Sequence, residues 1–188
     1  TVDKIESLPQ TEAVRDKGYE ILYFTDDVDE FAIRMLQTFQ EKEFKSVSSG
    51  DLDLATPEEK EAEAKQAEEN KDLFAFMTEA LEGKVKAVRL SKRLKTHPVC
   101  LTSEGNLSLD MEKVLNAMPS DNKVKADRVL ELNPDAAPFA AIKKAVDAGD
   151  KDTVAKYAKL LYGQSLLMAG LPLEDPAEYA QMVCSLMV

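Results

Sequence analysis

Few side chains in this chain could carry chemistry. His97 is the single histidine and precedes Cys100 by three residues, with Pro98 and Val99 between them; the other cysteine, Cys184, lies close to the C-terminus. A histidine and a cysteine can share a metal, but a tetrahedral site needs four ligands, and this pair does not make a set by itself. His97 therefore reads as a loop histidine beside a proline. Cys184, among Met182, Val183 and Leu186, reads as a small buried hydrophobe rather than a nucleophile. No GxxxxGKS/T, GxGxxG or GxSxG run occurs, so the usual phosphate cradles and the nucleophile elbow are missing. With 35 acids in 188 residues, paired carboxylates arise by chance and do not argue for acid and base work. The chain is expected to be non-catalytic and to hold neither metal nor cofactor.

Composition narrows the partners. A net charge of -11 disfavours a general nucleic-acid binder, because phosphate backbones are held by clustered Lys and Arg. No stretch approaches the roughly 18 continuous apolar residues of a membrane span. Two distant cysteines without a secretory signal suggest a reducing, cytoplasmic setting. The chain opens on Thr1 without an initiator Met, which suggests a piece of a longer protein.

The elements come next. Residues 1–52 carry an α/β pattern. A short helix should stop at Gly18, Tyr19 to Phe24 has strand composition, and Thr25, Asp26 and Asp27 can cap a helix. Val28, Phe31, Ala32, Met35 and Phe39 would form that helix's stripe, and a second strand at Phe44 to Val47 would complete a βαβ unit. A boundary falls in the turn-rich stretch from Ser48 to Thr56. Thr56 and Pro57 then start a long helix running to Gly83. Between Asp51 and Asp72 it carries nine acidic and three basic residues, a solvated face; Leu73, Phe74, Met77, Ala80 and Leu81 are its docking stripe. From Lys84 to Lys95 six residues are basic and none acidic, on a predicted strand whose charge would balance that acidic helix. Further strands are predicted at Pro98 to Thr102 and Arg128 to Leu132.

Two helical regions carry apolar faces of interest. Over Leu107 to Met118 the residues Leu107, Met111, Val114, Leu115 and Met118 share one face, with Asp110, Glu112, Lys113 and Asn116 opposite. That face either lies on its own sheet or stays open for changing partners, since methionines re-pack easily around different shapes. In the tail, Pro138 to Gly149 reads as one helix. Asp150 or Asp152 caps a second, with Val154, Tyr157, Leu161 and Met168 on one stripe widened by Leu160, Leu166 and Leu167. A third follows Asp175-Pro176, with Tyr179, Met182, Val183 and Leu186 at i, i+3, i+4 and i+7. Such broad stripes cannot close a core within one helical pair. A second copy across a two-fold axis would make a four-helix bundle.

Several stretches resemble the C-terminal part of the heat-shock protein 90 chaperones, the bacterial branch in particular. Lys17 to Asp26 followed by Asp29-Glu30-Phe31-Ala32 is similar to that family's KGYEVLYMTDPIDEY segment. Arg93-Leu94 with Pro98-Val99-Cys100 resembles its SxRLxxSPC strand pair. Leu130 to Asp135 resembles its LExNPxHP signature, with Ala136-Ala137-Pro138 in place of the His-Pro. Leu160-Leu161-Tyr162 with Leu166 to Gly170 is similar to its LYDxALLxxG helix. The resemblance implies an α+β fold: the αβα end of a middle domain over residues 1–52, then a mixed α/β dimerisation domain over 53–188, with a three-stranded sheet and a C-terminal helical pair forming an intermolecular four-helix bundle. It implies a homodimer through Val154, Tyr157, Leu160, Leu161, Met168, Tyr179, Met182, Val183 and Leu186. It also implies contact with unfolded or partly folded client proteins through Leu107, Met111, Val114, Leu115 and Met118. ATP and Mg would belong to an N-terminal domain outside this stretch. The terminal Cys184 to Val188 lacks the acidic pentapeptide that tetratricopeptide co-chaperones take. The competing expectation is a stand-alone scaffolding dimer with no client role.

Overall fold

A computed structural model describes residues 2–49, 52, 55–119 and 123–187. The fold is α+β, built on a three-stranded sheet and a separate two-stranded hairpin. In chain order the elements are α1 (Val2–Glu6), a 3-10 turn (Pro9–Thr11), α2 (Glu12–Asp16), α3 (Asp29–Leu36), β1 (Thr38–Phe39), β2 (Lys42–Glu43), α4 (Pro57–Glu69), α5 (Lys71–Ala80), β3 (Ala87–Leu90), β4 (Val99–Glu104), α6 (Leu109–Ala117), β5 (Asp127–Leu132), α7 (Ala137–Asp147), α8 (Lys151–Ala169) and α9 (Pro176–Cys184).

The last-formed strand in sequence is the middle one in space. β5 pairs in parallel with β3 and antiparallel with β4, so that Leu130 faces Val88 on one side and Leu101 on the other, while Glu131 faces Arg89 and Cys100. Strand alternation then gives the sheet two unlike faces. Val88, Val99, Leu101, Leu130 and Leu132 join Leu73, Phe74, Met77 and Leu81 of the α5 region, Ile142 of α7 and Val154, Ala158, Leu161 and Leu166 of α8 in the main core. The opposite face carries Arg89, Cys100, Thr102 and Glu131.

That second face is polar yet covered. The Glu131 carboxylate accepts from Arg89 Nη2 at 2.9 Å, Ser91 Oγ at 3.0 Å and Thr102 Oγ1 at 3.1 Å, and Arg93 Nε stands 3.1 Å away. Arg93 passes the connection outward, donating to the carbonyls of Val47 at 2.6 Å and Ser49 at 2.8 Å. Ser49 also bridges Ser103, and Gln10 Nε2 donates to Leu101 O at 2.9 Å, so N-terminal residues cover the open edge of β4. Among the described residues, Glu131, Glu104, Asp127, Glu174 and Asp16 pair with basic side chains of the run from Lys84 to Lys95.

Three local expectations change. Tyr19 to Phe24 and Phe44 to Val47 form no strands; the hairpin β1–β2 lies between them instead, and the βαβ unit is not formed. A strand needs a ladder partner, and the apolar side chains of Tyr19, Leu22 and Phe24 are exposed without one. The stripe of α3 is likewise uncovered: none of its residues is buried, and Met35 is 85% exposed. The long helix from Thr56 breaks at Asn70, whose Nδ2 donates to Gln66 O at 2.6 Å while Lys143 Nζ donates to its Oδ1 at 2.9 Å.

A second polar tie joins α2 to the β3–β4 loop. Glu12 Oε2 accepts from Lys95 N at 2.6 Å and Thr96 N at 3.1 Å, Oε1 accepts from the Thr96 hydroxyl, and His97 Nδ1 lies 2.6 Å from Oε1. Burial alone would raise the Glu12 pKa, but these bonds outweigh it and hold the group at about 2, against an ordinary 4.5. A depressed carboxylate stabilises the fold above its unfolded pKa and loses that contribution as pH falls through the folded value. Screening by solvent at the rim reduces the contribution to about 1–2 kcal/mol. Glu12→Gln should lower the unfolding free energy by that amount at neutral pH, and the gap to the parent should narrow as pH falls from 4.5 toward about 2. Denaturant titrations across that range measure it; a gap independent of pH would contradict the assignment.

Candidate interaction surfaces

The tail begins with well-made helix ends. Asp150 caps α8 by accepting from Thr153 N at 3.0 Å and from Thr153 Oγ1 at 2.7 Å, and Gly170 ends it in the left-handed region at φ 69°. Asp175 caps α9 by accepting from Glu178 N at 2.8 Å, with Pro176 in the first turn. α8 is the central helix of the domain, packed against α5, α7 and β4. α9 folds back on it at one notch: a Cβ on Gly163 would stand 2.5 Å from Tyr179 Cδ2, so the Tyr179 ring sits where any other residue would put a side chain.

This packing divides the residues predicted for a dimer interface. Val154, Leu160 and Leu161 are buried in the chain's own fold, because α5, α7 and β4 already surround that side of α8. Tyr157 and Met168 lie at the edge of the core, Tyr179, Met182 and Val183 are half-buried, and Leu186 is 51% exposed. Two residues outside the predicted set are exposed as well, Leu167 at 52% and Met187 at 78%. Periodicity places Leu167 on the wide stripe of α8, which was the available signal; Met187 lies beyond the helix and carries none. Cys184 is exposed rather than buried, on a helix none of whose residues is buried.

The second surface is α6. Ser108 caps it by accepting from Met111 N at 3.0 Å. At the far end Asn116 grips the returning chain, donating to Val124 O at 2.8 Å and accepting from Val124 N at 2.9 Å. The helix is turned about its axis relative to its apolar stripe, with Leu109, Met111 and Glu112 pointing inward. Glu112, placed on the polar face by its spacing, accepts from Arg128 Nη2 at 2.5 Å and from Ala126 N at 2.9 Å, and Arg128 Nη1 donates to Tyr162 Oη at 2.7 Å. Burial opposes the Arg128 charge, but the Glu112 carboxylate outweighs it and raises the guanidinium pKa; burial pushes the Tyr162 phenol up. Of the predicted client-contact residues, Met111 is buried. Leu107, Val114 and Leu115 are half-buried, and Met118 is exposed. The spacing grouped Glu112 with Asp110 and Lys113 on the polar face and gave no signal of the Arg128 pairing.

The candidate reactive residues are not assembled. Cys100 is buried beside Glu131, with Sγ 3.8 Å from Oε2, and burial together with that carboxylate pushes its thiol pKa well up, the opposite of a nucleophile. His97 is engaged with Glu12 and Thr96 instead. Among the described residues no group of three or more His, Cys, Asp and Glu is placed to hold a metal ion, and no helix is long and apolar enough to cross a membrane.

The geometry is thus that of an α+β domain that offers apolar faces on its helices. Residues 1–188 match the family described as Hsp90 protein. The chain belongs to the Hsp90 family of chaperones. It is 60% identical over 185 residues to the chaperone protein HtpG of Clostridium acetobutylicum, covering 98% of this chain and 29% of that protein. It is 54% identical over 186 residues to HtpG of Bacillus subtilis, covering 99% of this chain and 30% of that protein, and 56% identical over 186 residues to HtpG of Shouchella clausii, covering 99% and 29%. The chain therefore spans about three tenths of the length of these relatives.

The notch at Gly163 is testable by the sign of one substitution. Alanine in place of a mid-helix glycine ordinarily gains roughly 0.5–1 kcal/mol. Gly163→Ala should instead cost about 1–3 kcal/mol by overpacking against Tyr179, and should speed amide exchange across α9. Thermal unfolding and hydrogen exchange read both; a stabilised variant with unchanged α9 protection would contradict the packing.

Proposed function

We propose that the chain is the dimerising and client-contact part of an HtpG-type chaperone. Residues 1–52 end its middle domain and residues 53–188 form its C-terminal dimerisation domain. The observation that carries the reading is the apolar surface left over on the tail after the core is closed: Leu167, Met168, Met182, Val183, Leu186 and Met187, on a chain whose family is that of the Hsp90 chaperones. Two copies related by a two-fold axis would cover this surface with α8 and α9 of each, a four-helix bundle. A stable interface of this kind buries about 1,600 Å².

The role is mechanical. Joining two chaperone arms at the tail makes their encounter intramolecular and keeps each at high effective concentration for the other. The chain itself catalyses nothing and takes no cofactor; ATP and Mg are handled by parts of the relatives that it does not span. Its setting is the cytoplasm, and its partners are a second copy and unfolded or partly folded proteins. The client surface is Val114, Leu115 and Met118 of α6 together with Leu107, which precedes the helix and is partly buried against the core; apolar side chains and a flexible thioether there suit partners of varied shape.

Two measurements test this. The chain should sediment as a dimer at micromolar concentration, and Met182→Glu with Leu186→Glu should convert it to a monomer while helix content holds; a monomeric parent would end the bundle reading. Val114→Glu with Met118→Glu should weaken suppression of client aggregation several-fold and leave the dimer intact. Undiminished suppression would favour a scaffolding dimer without a client role.

A further inference from the structure

α6 is short, and its first turn depends on a contact from far away in sequence. The helix spans nine residues, fewer than the roughly 12–15 at which an isolated helix holds in water. Its inner face is pinned by Glu112 and its last turn by Asn116, both to neighbouring parts of the same domain. Its first turn is reached from α3. Ser108 Oγ, which accepts from Met111 N, donates to Glu30 Oε1 at 2.5 Å. Arg34 holds the same carboxylate oxygen through Nε at 3.3 Å and Nη2 at 3.2 Å, and its Nη1 donates to the carbonyl of Asn106. Two side chains one turn apart on α3 thus grip the residues on which α6 begins.

The chemistry makes the grip more than a neighbouring contact. A hydroxyl that donates to a carboxylate is polarised and accepts more strongly, so Glu30 strengthens the Ser108 cap. A carboxylate near a helix N-terminus is favoured by the helix dipole as well. α3 has no buried side chain, so its hold on the domain at this point is polar and reversible.

We propose that Glu30 and Arg34 are positioning residues for α6: α3 clasps the helix through Ser108 and Asn106, so that displacement of α3 loosens the first turn of α6 and changes the presentation of Leu107, Val114 and Met118. The functional meaning rests on the client-contact reading of α6, whereas the clasp itself is a statement about helix stability and is tested separately.

Hydrogen exchange on the whole chain reads it, through the amides of Met111 and Glu112, with Val129 to Leu132 in β5 as the internal control. Glu30→Ala should raise exchange in the first turn of α6 by roughly fivefold, the scale of one lost hydrogen bond, and leave β5 unchanged. Glu30→Gln, which keeps an acceptor, should recover most of the protection. Ser108→Asp preserves a good cap but cannot donate and repels Glu30, so it should speed exchange as Glu30→Ala does; protection equal to the parent would mean that the cap acts alone and would overturn the clasp. Unchanged α6 exchange in Glu30→Ala would overturn it equally. Faster α6 exchange with unaltered suppression of client aggregation would leave the clasp standing and remove the client-contact reading instead.

Discussion

The structure depends on one buried carboxylate. Glu131 is 2% exposed near the C-terminal end of the central strand, with two guanidinium groups, two hydroxyls and a thiol turned toward it. A charge in that position is costly unless paired and hydrogen-bonded, and breaking a buried pair by removing one partner typically costs roughly 3–5 kcal/mol. The pairing also has direction. Arg89 satisfies Glu131 along the sheet, and Arg93 satisfies it while donating to Val47 and Ser49, so the charge at the centre of the domain fixes where the N-terminal segment crosses it.

From that centre the two faces of the sheet serve two purposes. The apolar face binds α5, α7 and α8 by area, and the position of the tail follows from ordinary core packing. The polar face binds the N-terminal segment by a small number of directed bonds, at Glu131, Gln10 and Glu12. Directed bonds fix orientation with little buried area. Arg128 lies on the helical face of the same strand and links Glu112 of α6 to Tyr162 of α8, so β5 joins the two candidate surfaces as well.

Much of the architecture is legible in the chain. The caps at Asp150 and Asp175, the stop at Gly170, the three strands and the helix between the second and third are local signals, written in a few adjacent residues, and they hold to within a few positions. The resemblance to the heat-shock protein 90 chaperones also rests on short motifs in a fixed order, and the family match over residues 1–188 agrees with it.

What the residues could not state is which neighbour covers which face. Periodicity grouped Val154, Leu160 and Leu161 with Tyr179 and Leu186, yet the first three are core and Leu186 is surface. It placed Glu112 on the polar face and left open whether Met111 lay inward or outward, and the fold turns both inward, Glu112 onto Arg128 of a distant strand. It gave Tyr19 to Phe24 the composition of a strand, but a strand exists only beside a partner. Sequence by itself determined the family and, from Lys71 onward, most elements and their ends, because these follow from short motifs and local propensity. Tertiary structure alone decided the surviving surfaces, the inward turn of α6 and the seat of Tyr179 on Gly163, because burial is a relation between segments remote along the chain.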